Sequence, residues 1–309
     1  MIITVTLNPA MDRTVMVDEL AVGEVNRVRE GRSDPGGKGI NVSRVLRELG
    51  GDSLAMGFVA GSIGRFIEAS LNEIGIEDDF IHTPGQTRTN LSIVEAKARR
   101  QTSLNEPGPA TDARSTRDLR SRIQRRLSEG SWTVMAGSVP PGVPPAIYAE
   151  LIGMVKDSKG FAVLDADEDP LALGVAAQPY LVKPNLAELE RLVGRSLSDD
   201  DAILAAASGL QQSGITYVVV SMGGQGAVAV GPGEVWRGYA PHVEARSGVG
   251  AGDSLVAGLV LQLAAGRGLA EGLRLGMAAG AATALTPGTM LCRRADVERL
   301  LPVVRIARR

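Results

Sequence analysis

Short runs of apolar, β-branched residues alternate with stretches of helical periodicity, and this alternation most restricts the folds that the chain can adopt. The strand-like runs lie at residues 2–7, 53–59, 132–137, 161–166, 180–185 and 216–224. The helical stretches lie at about 40–49, 63–74 and 147–155, with another beginning at 186. Such alternation favours a parallel sheet covered by helices on both faces. The sequence therefore predicts an α/β fold in which ligands bind beyond the carboxyl ends of the strands.

Two segments, at about 12–33 and 86–107, depart from that pattern because polar and apolar residues alternate along them. This alternation is typical of half-exposed antiparallel strands. We expect the two segments to form a small antiparallel β lid over the binding site, within a single domain spanning residues 1–309. A one-faced sheet leaves apolar residues uncovered, so we also expect a homodimer that pairs through the lid sheet.

Composition argues against several classes of function. Aromatic residues make up 3% of the chain and the net charge is -2, which does not suit the base stacking and positive surface of nucleic-acid binding. The single cysteine, Cys292, and the two histidines, His82 and His242, argue against disulfides, cysteine-rich zinc sites and histidine-based triads. No basic leader precedes an apolar stretch, and the longest apolar helix candidate, 255–265, is too short to span a bilayer. We therefore expect a cytoplasmic protein that binds neither nucleic acid nor membrane.

The segment SGVGAGDSLVAGLVLQL, residues 247–263, carries the strongest chemical signal. Its glycines allow a tight turn, and the apolar periodicity after Ser254 predicts a helix from there. A helix start exposes unpaired N–H groups and about half a positive charge, which suits a phosphate. Asp253 lies where an N-cap carboxylate would lie, and capping alone is an alternative role. Capping does not require glycines at 248, 250 and 252, so Asp253 is instead predicted to accept the proton of an attacking hydroxyl in phosphoryl transfer.

A classical P-loop is not found. The nearest match, residues 31–39, has Arg32 in place of the first glycine and Gly39 in place of the metal-binding hydroxyl residue. The motif GGKGIN, residues 36–41, instead indicates a glycine pair that delivers Lys38 and Asn41 at the start of a helix, where they suit sugar hydroxyls or a substrate phosphate. The alternative is a glycine turn before a helix with a solvated lysine.

Seven motifs occur along the chain in this order: TLNPAMD (6–12), PGGKGIN (35–41), TRTN (87–90), AGSVPPG (136–142), LVKPNLAEL (181–189), SMGGQGA (221–227) and GVGAGDS (248–254). In order and spacing they resemble the ribokinase-like carbohydrate kinases of the phosphofructokinase B type, over nearly the whole chain. The resemblance implies a three-layer α/β/α fold with a mostly parallel central sheet. It also implies an ATP-dependent phosphotransferase that uses Mg²⁺.

The resemblance further implies roles for individual residues. Asp253 is the catalytic base, and Gly250, Ala251 and Gly252 form the anion hole for the γ-phosphate. The residues implied to bind the nucleotide are Lys183, Asn185, Ser221, Gly223, Gly226, Gly248 and Gly250. Those implied to hold Mg²⁺, directly or through water, are Asn185 and Glu188. Those implied to bind the sugar phosphate are Asp12, Arg27, Gly37, Lys38, Asn41, Arg88, Asn90 and Ser138.

The sequence motifs do not agree on one sugar phosphate as the substrate. TLNPAMD and GGKGIN resemble the branch that acts on phosphorylated ketohexoses, for which Lys38, Arg88 and Arg27 offer cations. For Arg27, an ordinary position on the lid surface is an equal alternative. The segments at 23–27 and 104–109 resemble 1-phosphofructokinases and favour fructose 1-phosphate, whereas the tail also resembles minor 6-phosphofructokinases. Phosphorylation of fructose 6-phosphate or tagatose 6-phosphate stays an alternative.

The segment LDADEDP, residues 164–170, departs from the branch. Asp165 is retained, but Asp167, Glu168 and Asp169 replace small hydroxylated residues and a glycine, so we expect altered local geometry. By analogy with the family, K⁺ is a further candidate ligand near Ser247, Val249 and Gly288.

Two other classes of function are alternatives to the kinase. A nicotinamide-dependent dehydrogenase needs glycines after the first strand, which TLNPAMD does not provide. A sugar-phosphate sensor without catalytic activity is expected to have lost Asp253, Glu188 or the glycines, and the chain has them all.

Overall fold

The computed structural model describes residues 1–98 and 100–309, in which a ten-stranded sheet is covered by helices and a four-stranded sheet stands apart from it. The strands are β1 (Ile2–Thr6), β2 (Ala10–Val17), β3 (Glu30–Gly36), β4 (Leu54–Ala60), β5 (Glu77–Thr83), β6 (Arg88–Glu95), β7 (Arg100–Asn105), β8 (Trp132–Ala136), β9 (Phe161–Asp165), β10 (Leu181–Val182), β11 (Tyr217–Ser221), β12 (Ala227–Gly231), β13 (Glu234–Tyr239) and β14 (Arg305–Arg308). The helices are α1 (Lys38–Glu48), α2 (Gly61–Glu73), α3 (Ala113–Arg126), α4 (Ile147–Asp157), α5 (Glu168–Ala176), α6 (Leu186–Val193), α7 (Asp200–Gln212), α8 (Ala251–Ala264), α9 (Gly268–Ala284) and α10 (Arg294–Leu300).

The large sheet has the strand order β14-β13-β12-β11-β10-β9-β8-β1-β4-β5. Its strands from β11 to β5 pair in parallel, and β12, β13 and β14 add an antiparallel edge. All residues of β1, β4 and β8 are buried, because both faces of these strands are covered. Residues from α3 to α7 pack on one face, and those of α1, α2, α8, α9 and α10 on the other. The predicted α/β architecture of three layers is confirmed.

The small sheet has the order β3-β2-β6-β7 and is formed by the two segments that the alternating pattern marked. We call it the lid sheet. The β2–β3 and β6–β7 pairs are antiparallel as predicted, but the central β2–β6 pair is parallel. The two hairpins confirm the predicted antiparallel lid. The β2–β6 pair that joins them is parallel because α1, β4, α2 and β5 lie between these strands, so the chain re-enters the lid in the same direction.

One predicted strand is much shorter than expected. The run at 180–185 forms a strand only at Leu181–Val182, after which the chain leaves the ladder. Pro184 has no N–H with which to continue the ladder, and Asn185 makes only an isolated bridge to Ser221. The short strand therefore releases Lys183 and Asn185 at the carboxyl edge of the sheet.

Among the residues described, no helix is both long and apolar enough to cross a membrane.

The contact between α8 and α9 depends on two glycines. A Cβ added at Gly258 would overlap the backbone of Gly276, and one added at Gly276 would lie 2.5 Å from the carbonyl oxygen of Leu255. The two helices therefore pack backbone to backbone at this point, and α8 is held in place at the edge of the sheet.

We expect Gly258→Ala to lower the free energy of unfolding by about 1–3 kcal/mol, because an extra methyl group in this contact forces the helices apart. Denaturant unfolding measures the change. The matched control is Gly153→Ala in α4, where a Cβ would meet no atom within 4 Å. There the better helix propensity of alanine should stabilise the protein by up to about 1 kcal/mol. Equal effects of the two changes would contradict the proposed contact.

Candidate active site

A cleft of about 1230 Å³ lies between the carboxyl edge of the large sheet and the lid sheet. Its walls include Asn8 after β1, Ser138 after β8, Asp165 at the end of β9 and Lys183 after β10. It lies where the sequence predicted ligand binding. Nearly all of the candidate residues from the sequence line its described wall.

Two candidates do not line the cleft as the described residues define it. Arg27 lies in the exposed loop between β2 and β3, so the prediction that it binds the substrate phosphate gains no support within one chain. Gly288, proposed beside a K⁺ site, has a φ of 62° and packs against Thr14 instead. Its partners in that proposal, Ser247 and Val249, do line the cleft and share a 3.2 Å hydrogen bond.

The start of α8 faces the cleft. Gly250 is its N-cap, with a left-handed φ of 77°, and the helix begins at Ala251. The prediction that Asp253 occupies the N-cap position and that the helix follows Ser254 is therefore wrong, because the left-handed glycine lets the helix begin three residues earlier. The bond from Ser254 N–H to the Gly250 carbonyl spans the usual four residues, so the N–H groups before Ser254 lie ahead of the helical ladder.

The first turn of α8 and Lys183 border one open space in the cleft. Ala251 N–H makes a long bond of 3.4 Å to Gly248, which leaves much of its capacity for a ligand. A Cβ added at Gly252 would stand in the cleft 3.5 Å from Nζ of Lys183. The absent side chain at 252 therefore leaves open the space between a lysine and a helix N-terminus, which suits a phosphate.

Asp253 lies in the first turn of α8 and is buried beside this space. Its Oδ2 accepts a hydrogen bond of 2.8 Å from Nδ2 of Asn41. Burial raises the pKa of Asp253 to about 6, with a further contribution from the charge of Asp165, while Lys38, Asn41 and Lys183 oppose the rise. The carboxylate is thus a stronger base than an exposed aspartate and still ionised at neutral pH.

The side chain of Lys38 is paired with a carboxylate of the protein and is not a free lysine at the cleft wall. Its Nζ donates a 2.9 Å hydrogen bond to Oδ1 of Asp165, and Nζ of Lys183 lies 3.4 Å from the same oxygen. Burial opposes the charge of Asp165, but the two lysines outweigh it and hold the pKa of Asp165 below its usual value. Oδ2 of Asp165 is buried without a hydrogen-bond partner among the described residues. The sequence motifs do not predict this role for Asp165; the signal that could identify it is its position at the end of a central strand.

The glycine before Lys38 has a structural role. Gly37 is the N-cap of α1 with a φ of 113°, and a Cβ there would lie 2.7 Å from Cγ2 of Thr6. The glycine allows α1 to begin against β1, which brings Lys38 and Asn41 into the cleft. The solvated-lysine alternative is not supported, because Lys38 is paired within the site.

Polar groups of the lid sheet form the opposite wall. The parallel register of β2 and β6 places Asp12 opposite Asn90, and Nδ2 of Asn90 donates a 2.9 Å hydrogen bond to Oδ1 of Asp12. Burial raises the pKa of Asp12, although Asn90 and Arg88 oppose it. Arg88 donates to the Asn8 carbonyl at 3.0 Å and to Oγ of Ser138 at 3.4 Å. Asn8, which sequence reasoning missed, donates to the same hydroxyl at 3.1 Å.

Asn185 and Glu188 form a capping box at the start of α6. Oδ1 of Asn185 accepts from Glu188 N–H at 2.8 Å, and Oε2 of Glu188 accepts from Asn185 N–H at 2.7 Å. Both residues line the cleft, and so do Ser221, Gly223 and Gly226. Within residues 1–98 and 100–309, no cluster of three or more His, Cys, Asp or Glu side chains forms a ready-made metal site. Glu188 fits a Mg²⁺ that is bound mainly by phosphates and water, since Mg²⁺ in such sites needs one or two carboxylates.

The acidic departure from the resemblance lies at the mouth of the cleft. Asp167 accepts a hydrogen bond from Arg191 at 2.5 Å. Glu168 has a φ of 50°, a left-handed conformation that glycine adopts without strain. The backbone at Glu168 therefore has a conformation that a glycine would favour, although an acidic residue occupies the position.

The chain is similar to carbohydrate kinases over almost all of its length. A family profile described as "pfkB family carbohydrate kinase" matches residues 5–296. The 1-phosphofructokinase of Xanthomonas campestris pv. campestris is 40% identical over 266 residues, which cover 84% of this chain and 83% of that protein. The ATP-dependent 6-phosphofructokinase isozyme 2 of Mycobacterium tuberculosis is 36% identical, with coverage of 96% and 88%. The tagatose-6-phosphate kinase of Staphylococcus epidermidis is 32% identical, with coverage of 84% for each chain.

Solved structures of phosphofructokinase-2 from Escherichia coli share the fold. The complex with substrates and products has a TM-score of 0.94 at 32% identity and covers 98% of both chains. The complex with potassium has a TM-score of 0.93 at 31% identity, and the tetrameric inhibited form 0.92 at 32%, with the same coverage.

We expect Gly252→Val to weaken binding of a non-hydrolysable ATP analogue by about 10- to 100-fold. The valine side chain would fill the space beside Lys183 and keep the phosphate from its donors, and the loss of a hydrogen bond to a charged group costs about 1.5–3 kcal/mol. Calorimetric titration measures the affinity. Gly209→Ala in α7, where a Cβ would meet no atom within 4 Å, is the control and should bind as the wild type does. Unchanged affinity in the valine variant would show that the anion does not lie at the start of α8.

Proposed function

The chain belongs to the pfkB family of carbohydrate kinases, and on that premise we propose that it transfers the γ-phosphate of ATP to fructose 1-phosphate, giving fructose 1,6-bisphosphate. The observation that carries the proposal is the position of Asp253. A buried carboxylate with a raised pKa lies in the first turn of a helix whose first residues line the same cleft and whose first N–H groups lie ahead of the helical ladder. One group can take a proton while its neighbours stabilise negative charge, as phosphoryl transfer requires.

Asp253 acts as the base that removes the proton of the attacking sugar hydroxyl. The N–H groups of Gly250, Ala251 and Gly252 stabilise the charge on the transferred phosphoryl group, and Lys183 adds a full positive charge beside them. Because these donors are fixed by the helix and the buried ion pair, little reorganisation is needed during transfer.

The sugar phosphate binds between the edge of the sheet and the lid. Hydroxyl groups contact the side chains of Asp12, Asn41 and Asn90 and the backbone of Gly37, while the phosphate contacts cationic and hydroxyl groups. Lys38, Arg88 and Ser138 supply those groups within one chain. Lys38 is held by Asp165 and is able to turn toward an anion, because 35% of its side chain is exposed. We retain Arg27 only as a candidate whose loop is exposed.

The nucleotide occupies the part of the cleft formed by Lys183, Asn185, Ser221, Gly223, Gly226 and Gly248. Asn185 and Glu188 hold Mg²⁺ directly or through water, and Mg²⁺ supplies charge neutralisation on the phosphates. We propose K⁺ near Ser247 and Val249, which line the cleft, with support from the potassium complex of the E. coli protein.

The choice of fructose 1-phosphate rests on the motifs at 23–27 and 104–109 and on the similarity to 1-phosphofructokinase. Relatives named for 6-phosphofructokinase and tagatose-6-phosphate kinase keep fructose 6-phosphate and tagatose 6-phosphate as the alternatives.

We propose a homodimer that forms through the lid sheet. Val22 and Val25 in its β2–β3 loop are 92% and 87% exposed, and Leu104 on β7 is 55% exposed, so apolar surface on the lid is left uncovered. The one cysteine is buried and free, which fits the reducing conditions of a cytoplasm.

A coupled assay of ADP release tests the substrate. We expect fructose 1-phosphate to give the highest kcat/KM among fructose 1-phosphate, fructose 6-phosphate, tagatose 6-phosphate and fructose. A higher kcat/KM for another sugar phosphate would show that fructose 1-phosphate is not the preferred substrate, and the proposed kinase activity would stand. Binding of a sugar phosphate without ADP release from any of the four would instead indicate a sensor.

We expect Asp253→Asn to lower kcat by about 10²–10⁴-fold with little change in ATP affinity, because a positioned base contributes that much. The isosteric amide retains a hydrogen-bond acceptor for Asn41. Asp118→Asn, an exposed position on α3, is the control and should leave kcat unchanged.

The pH profile gives an independent check of the same assignment. Asp253 accepts a proton only when ionised, so kcat/KM of the wild type should fall about tenfold per pH unit below an acid limb near pH 6. An acid limb near pH 4, or full activity in the asparagine variant, would show that another group is the base.

A further inference from the structure

The hydrogen bond between Asn41 and Asp253 requires one orientation of an amide that has two. Nδ2 of Asn41 must face the carboxylate, because Oδ1 in that position would set two acceptors against each other. In this orientation Oδ1 of Asn41 points away from the carboxylate, and a hydrogen-bond donor placed against Oδ1 favours the same orientation.

Arg44, one turn further along α1, provides that donor. Its Nη1 donates a 3.3 Å hydrogen bond to Oδ1 of Asn41 and a 2.8 Å bond to the carbonyl of Pro35. A guanidinium has hydrogen-bond donors only, so it attracts the amide oxygen and repels the amide NH₂ group. Arg44 is not part of the cleft wall defined by the described residues, so any effect on the chemistry must pass through Asn41.

The buried charge of Arg44 is balanced from the lid sheet. Nη2 lies 3.8 Å from Oδ1 of Asp34 on β3, and the side chains are 14% and 3% exposed. Asp34 is itself held by Arg32 at 2.8 Å and by Oγ1 of Thr289 at 3.1 Å. A carboxylate of the lid thus fixes the guanidinium that orients Asn41.

We propose that Arg44 is a positioning residue for the catalytic base, which acts by fixing the amide of Asn41 against Asp253 and is itself held by Asp34 of the lid sheet. The proposal rests on the proposed function of Asp253. It joins the lid to the base through three side chains: Asp34 holds Arg44, Arg44 orients Asn41, and Asn41 holds Asp253. The competing account is that Arg44 is only a buried ion pair that fastens α1 to β3.

Arg44→Met tests the proposal in the full-length protein. We expect kcat to fall by about 10- to 100-fold, since a misplaced catalytic group costs up to about that much, while KM for ATP changes less than about threefold. Arg47→Met is the matched control: Arg47 lies on the same helix and pairs with Asp52 at 2.8 Å, but away from the cleft. It should leave both constants unchanged.

A double variant separates positioning from support of the fold. If Arg44 acts through Asn41, adding Arg44→Met to Asn41→Ala should lower kcat less than about threefold further, because the two residues then share one effect. Independent losses that multiply would overturn the proposal. So would an Arg44→Met protein with wild-type kcat.

Arg44→Lys keeps the test decisive if the methionine variant does not fold. Lysine retains the charge beside Asp34, but its single terminal nitrogen cannot occupy the positions of both guanidinium nitrogens. We expect a melting temperature near that of the wild type with a lowered kcat. An unchanged kcat in a folded lysine variant would contradict the role of Arg44. A wild-type chain without kinase activity would refute the proposed function instead.

Discussion

Two carboxylates lie out of water at the carboxyl edge of the large sheet, and the site depends on how their charges are balanced. Asp165 is 1% exposed and Asp253 is 6% exposed, and burying an ionised carboxylate costs several kcal/mol unless it is paired. Both lysines of the cleft bind Asp165, whereas Asp253 has an amide donor and the partial charge of a helix N-terminus. The pKa of Asp165 is therefore lowered and that of Asp253 is raised. One carboxylate keeps its charge, and the other can exchange a proton near neutral pH, a division typical of acid–base sites.

The strand register sets this balance. Leu164 of β9 pairs with Val182 of β10, so Asp165 and Lys183 are the next neighbours along the same two strands. The N–H of Lys183 still donates to the Leu164 carbonyl at 3.0 Å, which keeps the lysine beside the carboxylate after the strand has ended. Lys38 arrives from the start of α1, and Gly37 allows that start to lie against β1. Backbone pairing thus places Lys183 beside Asp165, and the start of α1 brings Lys38 to the same carboxylate.

Local sequence patterns predicted the helices and strands, but they could not predict contacts between segments that are distant in the sequence. The alternation of strands and helices was sufficient for the parallel sheet, and the glycines around Asp253 indicated the turn before α8. The start of α8 was misplaced because apolar periodicity begins after Ser254, whereas the left-handed Gly250 already begins the helix. The pairing of Lys38 with Asp165 joins residues 127 positions apart, and no local pattern encodes it. The parallel β2–β6 pair was missed for the same reason, since alternation gives the face of a strand but not its partner.

That parallel pair determines what the lid offers to a ligand. In register, Asp34, Asp12, Asn90 and Asn105 form one row across the four strands of the lid sheet. Residues directly opposite one another share a face, so a polar row faces the sheet edge on which the base lies. Asp12, Asn90 and Asn105 line the cleft, while Asp34 at the end of the row reaches Arg44. The lid thus contributes Asp12 and Asn90 to the proposed sugar site, and α1 contributes Asn41 from the other wall of the cleft. We therefore expect changes in the outer part of the row to alter the preferred sugar while the buried charges at the sheet edge stay in place.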